Sequence, residues 1–213
     1  MDLSEPYHKL KMNLEIISSP EDMHQIKTQI NQLLREKVDG IELCYKKYRV
    51  PNNSFPLRIA VIDLECEPPK VCGVLLSNRI YQIYVLDEKH IPQLYQVMVK
   101  LLAIVSRFYL FCFSNHEIRF IHKILPHKLK KRDPHILSKL SITNVQKFTG
   151  EALISALYSI GEAPHEDPLL RNNNQINIHY QEGRYDLILA HNASCLLSTL
   201  KVVKLRYLKL NLI

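Results

Sequence analysis

Two carboxylates spaced two residues apart, Asp63 and Glu65, end an apolar, β-branched run at residues 57–65. Side chains alternate between the two faces of a strand, so both carboxylates are expected on one face. Neighbouring carboxylates repel each other, and a hard divalent cation such as Mg²⁺ or Mn²⁺ would relieve that repulsion. The spacing therefore permits a metal site, although taken alone it favours a core strand that ends in a polar turn.

Two other segments carry side chains that could act with this pair. The sequence Ser-Asn-His-Glu, which ends at Glu117, begins a predicted helix, so Glu117 is either a ligand or an acid that stabilises the helix N-terminus. His191 and Cys195 lie four residues apart in a helix predicted over 185–207 and so share one face of it. His191 is either a hydrogen-bonded core histidine or a functional one. For Cys195 the sequence favours a packed thiol over a nucleophile, since no neighbour in the sequence would clearly lower its pKa.

A basic segment follows the Glu117 motif and is either a solvated loop or a patch that contacts phosphates. The whole chain has 28 Lys and Arg against 21 Asp and Glu, a formal net charge of +7, which favours a polyanionic partner such as nucleic acid. The residues predicted to bind nucleic acid are Lys123, Lys128, Lys130, Lys131 and Arg132.

Composition and cysteine spacing argue against several other classes of protein. An apolar content of 46% over 213 residues can support a full core, which argues against wholesale disorder. The five cysteines include no Cys-x-x-Cys pair, which disfavours a disulfide framework and a zinc knuckle. Reduced thiols, and a start without a signal-peptide pattern, favour a cytoplasmic protein. We also expect no membrane span and no membrane partner.

The elements that would position the candidate residues follow an α/β order. Strands are predicted at 57–65, 71–76, 80–86 and 108–113, and helices at 91–107, 115–125 and 185–207. Strands that alternate with helices in this way are typical of an α/β layered domain.

An amphipathic helix is predicted from Ser19 to Val38, because a Ser N-cap, a proline and two acids open it and apolar residues then follow at helical spacing. We expect residues 1–56 to form an N-terminal helical extension and residues 57–213 the main domain. The helix either packs on that domain or offers its apolar face to a protein partner, and packing is favoured.

The order of these features resembles the ribonuclease H-like domain of the DEDD 3′–5′ exonuclease superfamily. It is most similar to the branch found alone or joined to RecB-type nuclease and helicase proteins. The resemblance covers about residues 57–208 and implies a ribonuclease H-like mixed sheet flanked by helices. Three motifs carry it: Asp63 and Glu65 on the first strand, Asn115-His116-Glu117 after a later strand, and His191 to Cys195 on the last helix.

The resemblance implies two-metal hydrolysis of a phosphodiester bond at a 3′ terminus of DNA or RNA. Asp63, Glu65 and Glu117 would hold Mg²⁺ or Mn²⁺, with Asp63 and Glu65 as catalytic ligands. His191 would orient or deprotonate the attacking water. Cys195 stands where the family has its final aspartate, and a thiol is a soft ligand whereas Mg²⁺ prefers oxygen.

The change at this last motif leaves the enzyme status undecided. The leading hypothesis is a metal-dependent 3′–5′ exonuclease, or a descendant that has lost some activity. Another is a catalytically inactive module that binds nucleic acid or acts as a scaffold with the same fold. A structural subunit that docks through the first helix ranks third, and it requires an exposed apolar stripe on that helix.

Overall fold

A mixed β-sheet forms the centre of the computed structural model, which describes residues 20–50, 59–129, 137, 140–147, 150–169 and 175–208. Six of the described strands form this sheet in the order β3-β6-β5-β4-β7-β8, and β1 and β2 form a separate two-stranded ribbon. The strands are β1 Lys37–Val38, β2 Ile41–Glu42, β3 Cys44–Arg49, β4 Ile59–Glu65, β5 Val71–Leu76, β6 Arg79–Tyr84, β7 Tyr109–Cys112 and β8 Ile142–Asn144.

The strand directions divide the sheet into two halves. From β4 to β3, through β5 and β6, each pair of neighbours is antiparallel. On the other side, β4, β7 and β8 are parallel, so their carboxyl ends meet at one edge of the sheet. The predicted α/β fold with a mixed sheet flanked by helices is confirmed, and the arrangement is consistent with a ribonuclease H-like sheet.

Helices cover both faces of the sheet. They are α1 Pro20–Leu33, α2 Ile91–Val105, α3 Asn115–Arg119, α4 Leu125–Lys128, α5 Leu153–Ser159, α6 Ile176–Gln181 and α7 Tyr185–Val203. A 3₁₀ turn at Glu88–His90 precedes α2, and π-helical turns at Phe120–Ile124 and Lys204–Leu208 follow α3 and α7.

Strand β4 contributes alternate side chains to two apolar cores. Ala60, Ile62 and Leu64 pack in the core that also contains α1 and α2. Ile59 and Val61 pack on the opposite face, under α7. Every residue of β4 is buried, which explains why its sequence is an almost continuous apolar run.

The N-terminal region differs from the predicted helical extension. The helix ends at Leu33, and Val38 belongs to β1, because the Asp39-Gly40 turn with positive φ at both residues folds β1 back on β2. Strand β3, which was also assigned to the extension, pairs antiparallel with β6 as an edge strand of the main sheet.

The apolar face of α1 packs into the main core, as the favoured alternative predicted. Met23, Ile26 and Ile30 are at most 5% exposed and belong to the same cluster as α2. This face is therefore not an exposed stripe, the feature that docking of a partner or a structural subunit through it requires.

One helix, Tyr185–Arg206, is long and apolar enough to cross a membrane by length and composition, although no membrane span was expected there. However, 67% of its apolar window is buried inside the fold. Such burial is typical of a core helix, so the helix is weak evidence for a membrane span.

Candidate functional site

The three carboxylates predicted as metal ligands lie together at the carboxyl edge of the parallel strands. Asp63 and Glu65 lie at the carboxyl end of β4 and face α7, and their side chains are hydrogen-bonded to each other. Glu117 lies in the first turn of α3, directly after β7. All three are buried, with 8%, 5% and 6% of their surface exposed. The parallel pairing of β4 and β7 thus brings Glu117 to two acids that lie more than 50 residues before it in the sequence.

Burial makes ionisation of these acids costly. It raises the pKa of Asp63 to about 7, an effect that the charge of Glu117 reinforces. Burial also holds the pKa of Glu65 well above its ordinary value, with the charge of Asp63 as the next cause. The pKa of Glu117 is raised by burial too, although a hydrogen bond from Ser114 opposes the shift. Within the part of the chain that the structure describes, no lysine or arginine forms an ion pair with any of the three.

Glu117 has a second role in the local structure. The Ser114 hydroxyl accepts a hydrogen bond from the His116 backbone N–H at 3.1 Å and so caps α3. It also donates to Glu117 Oε2 at 2.7 Å. The predicted helix start at this motif is confirmed. The same geometry fixes the Glu117 carboxylate, which lines the cleft together with Asp63.

An amide pair that the sequence analysis did not predict holds Asp63. The Asn192 Nδ2 group on α7 donates to Asp63 Oδ2 at 2.6 Å. Gln82 Nε2 on β6 in turn donates to Asn192 Oδ1 at 2.9 Å and to the Leu189 carbonyl at 2.7 Å. Both amides have no exposed surface, so these bonds decide how the Asn192 amide is oriented. The signal in the sequence was a glutamine inside an otherwise apolar strand.

His191 has a carboxylate partner that the sequence analysis also missed. Its Nδ1 atom lies 2.8 Å from Asp167 Oδ1, and both side chains are almost fully buried. Its Nε2 atom lies 3.6 Å from Glu65 Oε1 and 3.7 Å from Cys195 Sγ. The predicted shared face of His191 and Cys195 is confirmed. Asp167 lies in a polar segment after α5, where no periodic pattern could have assigned it to this site.

Asp63, Glu117, Asp167, His191 and Cys195 line one cleft with a volume of about 330 Å³, which is in the range of small-ligand sites. Acid, imidazole and thiol groups share its walls with apolar side chains from α5 and from the end of β7. Its polar lining includes Asp63, Ser114, Glu117, Gln146, Glu151, Asp167, His191, Ser194, Cys195 and Ser198. The cleft therefore offers ligands of several chemical types to a cation or a phosphate-containing substrate.

The predicted basic patch is only partly described. Lys123 and Lys128 are exposed on the helical segment that follows Glu117. The other three predicted cations, Lys130, Lys131 and Arg132, lie outside the described residues. The patch remains a prediction, carried here by two lysines in the same segment as a candidate ligand.

No protein-family model, curated protein or solved structure matches the chain.

Proposed function

We propose that this chain is a metal-dependent nuclease that hydrolyses phosphodiester bonds of nucleic acid, with 3′–5′ exonuclease action as the mode implied by the sequence resemblance. One observation carries the proposal. Asp63 and Glu117 line one cleft, Glu65 lies directly behind them beside Asp63, and among the described residues none of the three buried acids has a lysine or arginine as counter-charge. Buried charges are retained in proteins when they are paired or coordinate a metal.

The donor set fits Mg²⁺ or Mn²⁺. Both ions prefer carboxylate oxygens, and Asp63 and Glu117 line the cleft where a phosphate oxygen and water could complete the coordination shell. When bound, such an ion polarises a phosphoryl oxygen and stabilises the charge that develops during hydrolysis. Asn192 keeps the Asp63 carboxylate in one orientation, so the ligand is positioned before the ion arrives.

His191 can act as a base toward the attacking water or as a metal ligand. Its Nδ1 atom lies 2.8 Å from Asp167 Oδ1, and an ionised Asp167 would hold the proton on Nδ1 and leave the Nε2 lone pair available inside the cleft. An unprotonated Nε2 either accepts a proton from water or coordinates a cation. Asp167 is a positioning residue in both cases.

A second candidate function is a nucleic-acid-binding module without catalysis. The thiol of Cys195 favours it, because this position offers no oxygen ligand for a second hard ion. In that case Lys123 and Lys128 would contact phosphates while the cleft binds no substrate productively.

Calorimetric titration measures the affinity for Mn²⁺ of the wild type, Asp63→Asn and Glu117→Gln, and so tests the metal-dependent function. Glu42→Gln removes an exposed acid on β2 and is the matched control. We expect saturable binding in the wild type and the control, and at least a tenfold loss of affinity in the two cleft variants. Absence of binding to the wild type, even with an oligonucleotide present, would overturn the proposal.

Activity is then measured with a 5′-labelled DNA or RNA oligonucleotide. The proposal predicts metal-dependent shortening from the 3′ end by the wild type and none by Asp63→Asn. Binding of Mn²⁺ and of the oligonucleotide without any shortening would replace the nuclease with the non-catalytic module.

A further inference from the structure

A second set of metal-binding atoms lies at the wall of the same cleft, which His191 and Cys195 line, and it is softer than the first. A carboxylate oxygen of Glu65, a ring nitrogen of His191 and the sulfur of Cys195 all lie within 4.8 Å of one another. We infer that these three residues form a site for a borderline divalent ion, with Zn²⁺ as the best fit and Mg²⁺ as a poor one.

The two distances from His191 to the other donors fit a single tetrahedral ion, and the third distance, between Glu65 and Cys195, is at most 4.8 Å. Zn²⁺ binds sulfur at about 2.3 Å and nitrogen or oxygen at about 2.0–2.2 Å, so its ligands lie about 3.4–3.6 Å apart. His191 Nε2 lies 3.6 Å from Glu65 Oε1 and 3.7 Å from Cys195 Sγ. The first distance is too long for a direct N–H···O hydrogen bond, which spans about 2.7–3.2 Å. It is close to the separation of two ligands around a shared ion.

The orientation of His191 is an independent reason to expect a metal. Its Nδ1 atom lies 2.8 Å from Asp167 Oδ1, with 2% and 4% of the two side chains exposed. A histidine ligand in metalloproteins commonly donates its other ring N–H to a carboxylate, which fixes the tautomer and increases the basicity of the coordinating nitrogen. Here that arrangement directs the Nε2 lone pair toward Glu65 and Cys195.

The identity of the donors sets the preference among ions. Thiolate and imidazole suit Zn²⁺, whereas carboxylate, carbonyl and water suit Mg²⁺. With one carboxylate, one imidazole and one thiol, this set differs from the all-carboxylate set of Asp63, Glu65 and Glu117, with which it shares Glu65. The two sites are therefore expected to select different ions within one cleft.

A thiol nucleophile is the competing explanation for the same contacts. Cys195, His191 and Asp167 lie in the order of nucleophile, base and orienting acid. The nearby carboxylate of Glu65 would repel a thiolate, however, and has no role in such a triad. A divalent ion gives a role to all three donors and offsets their negative charge, so the metal is favoured.

Three protein ligands leave one coordination position for water or a substrate oxygen, the pattern of catalytic rather than structural zinc sites. Any part that this ion takes in hydrolysis rests on the proposed nuclease function, as one of two metals that would act on one phosphate. The binding of the ion does not depend on that function.

The test uses Co²⁺ as a coloured substitute for Zn²⁺ on the full chain. We expect a thiolate-to-cobalt charge-transfer band that saturates at one equivalent and is displaced by Zn²⁺ but not by a large excess of Mg²⁺. Cys195→Ser should abolish the band, whereas the control Cys44→Ser, another half-buried thiol on the far edge of the sheet, should keep it. Circular dichroism verifies that both variants are folded.

Two further variants sharpen the assignment. Asp167→Asn should weaken Co²⁺ binding by about 10–100-fold without abolishing the band, as expected of a residue that positions a ligand. Cys195→Asp should lose the band and gain affinity for Mn²⁺, because the substitution replaces sulfur by oxygen.

Several outcomes would overturn the inference. They are a wild type without the band, a band that survives in Cys195→Ser, or fast alkylation of Cys195 by iodoacetamide that Zn²⁺ does not slow, which would point to a nucleophile instead. Hydrolysis with Mg²⁺ but no cobalt band would overturn this inference alone. A cobalt band without hydrolysis of DNA or RNA would overturn the proposed function alone.

Discussion

The Asn192 amide occupies the space that a side chain at Gly73 would need. An ideal β-carbon on Gly73 would lie 2.8 Å from Asn192 Cγ and closer still to its Oδ1 atom. In the sheet, Gly73 is the register partner of Asp63 on one side and of Gln82 on the other. The missing side chain lets α7 approach β5 so closely that Asn192 reaches both neighbours at once.

Replacing Gly73 by alanine should disturb both stability and the candidate metal site. The added methyl group collides with Asn192 and with Leu196, which lies 2.9 Å from the ideal β-carbon. Overpacking of a dense core costs about 1–3 kcal/mol in the free energy of unfolding. Because Asn192 holds Asp63, the affinity for Mn²⁺ should fall as well. Urea unfolding and calorimetry measure the two effects.

The control for this substitution is Gly161→Ala. Gly161 has φ +75° and open space around its ideal β-carbon, so the cost is about 1–2 kcal/mol of backbone strain without a collision. Mn²⁺ binding should be unchanged in the control. A Gly73→Ala protein that binds Mn²⁺ like the wild type would show that α7 can shift without moving Asp63.

Local patterns in the sequence predicted four strands of the main sheet, β4 to β7, its longest helices and part of the site. Alternation along β4 predicted that Asp63 and Glu65 share a face, and the four-residue spacing predicted the shared face of His191 and Cys195. The helix start before Glu117 followed from the capping preference of serine. Each of these features depends on residues fewer than five positions apart.

The supporting contacts could not be predicted in this way, because they join distant parts of the chain. Gln82 and Asn192 are 110 residues apart, and their bond depends on how α7 docks on the sheet. Asp167 meets His191 across 24 residues from a segment without a periodic pattern. The predicted helix extends beyond the C-terminal end of α1 at Leu33, because strands of two residues, such as β1, leave no periodic signal.

Gln82→Leu should weaken metal binding through Asn192. Leucine is similar in size to glutamine, but the substitution removes the N–H donor to Asn192 Oδ1 and to the Leu189 carbonyl. Buried acceptors that lose their partners cost about 1–3 kcal/mol, so the free energy of unfolding should fall by that amount. Freed from Gln82, Asn192 holds Asp63 less firmly, and the affinity for Mn²⁺ should fall about tenfold.

A matched substitution separates positioning from general destabilisation. Gln96→Leu removes a glutamine on α2 whose side chain bonds the exposed Asp39. This variant should bind Mn²⁺ like the wild type. Equal losses of Mn²⁺ affinity in both variants, measured by calorimetry under folded conditions, would remove Gln82 from the support of the site.

Charge reversal at Lys123 and Lys128 tests the predicted nucleic-acid partner. Both side chains are exposed, so Lys123→Glu and Lys128→Glu should leave stability and Mn²⁺ affinity unchanged. If each lysine contacts one phosphate, the slope of log K against log salt for a single-stranded oligonucleotide should decrease by about 0.7 per substitution. Fluorescence anisotropy at several salt concentrations measures this slope. The same decrease in Lys46→Glu, on the edge strand β3, would indicate non-specific attraction by the net charge.

Glu151, which lines the cleft, forms a two-bond ion pair with Arg206. Arg206 Nη2 lies 2.7 Å from Glu151 Oε1, and Nη1 lies 2.8 Å from Oε2. The Arg206 side chain is 15% exposed and the Glu151 side chain 3% exposed, so the pair is largely shielded from water. Glu151→Gln should lower the free energy of unfolding by about 1–3 kcal/mol at pH 7, because a charge-assisted bond is lost and Arg206 keeps its charge.

The effect of Glu151→Gln should also depend on pH in a definite direction. The hydrogen bond from Arg206 lowers the pKa of Glu151 in the folded chain below its ordinary value. The contribution of the ionised group is therefore complete above the unfolded glutamate pKa of about 4.3 and is lost as the pH falls through the lower folded value. The difference in unfolding free energy between the wild type and Glu151→Gln should be constant near neutrality and shrink in acid. Glu162 pairs with Lys201 in an ion pair that is more exposed than that of Glu151 and Arg206. Glu162→Gln should therefore lower the free energy of unfolding by less than about 1 kcal/mol at any pH. Urea unfolding from pH 7 to pH 3 measures both differences, and an undiminished difference for Glu151→Gln at pH 3 would mean that its charge does not stabilise the fold.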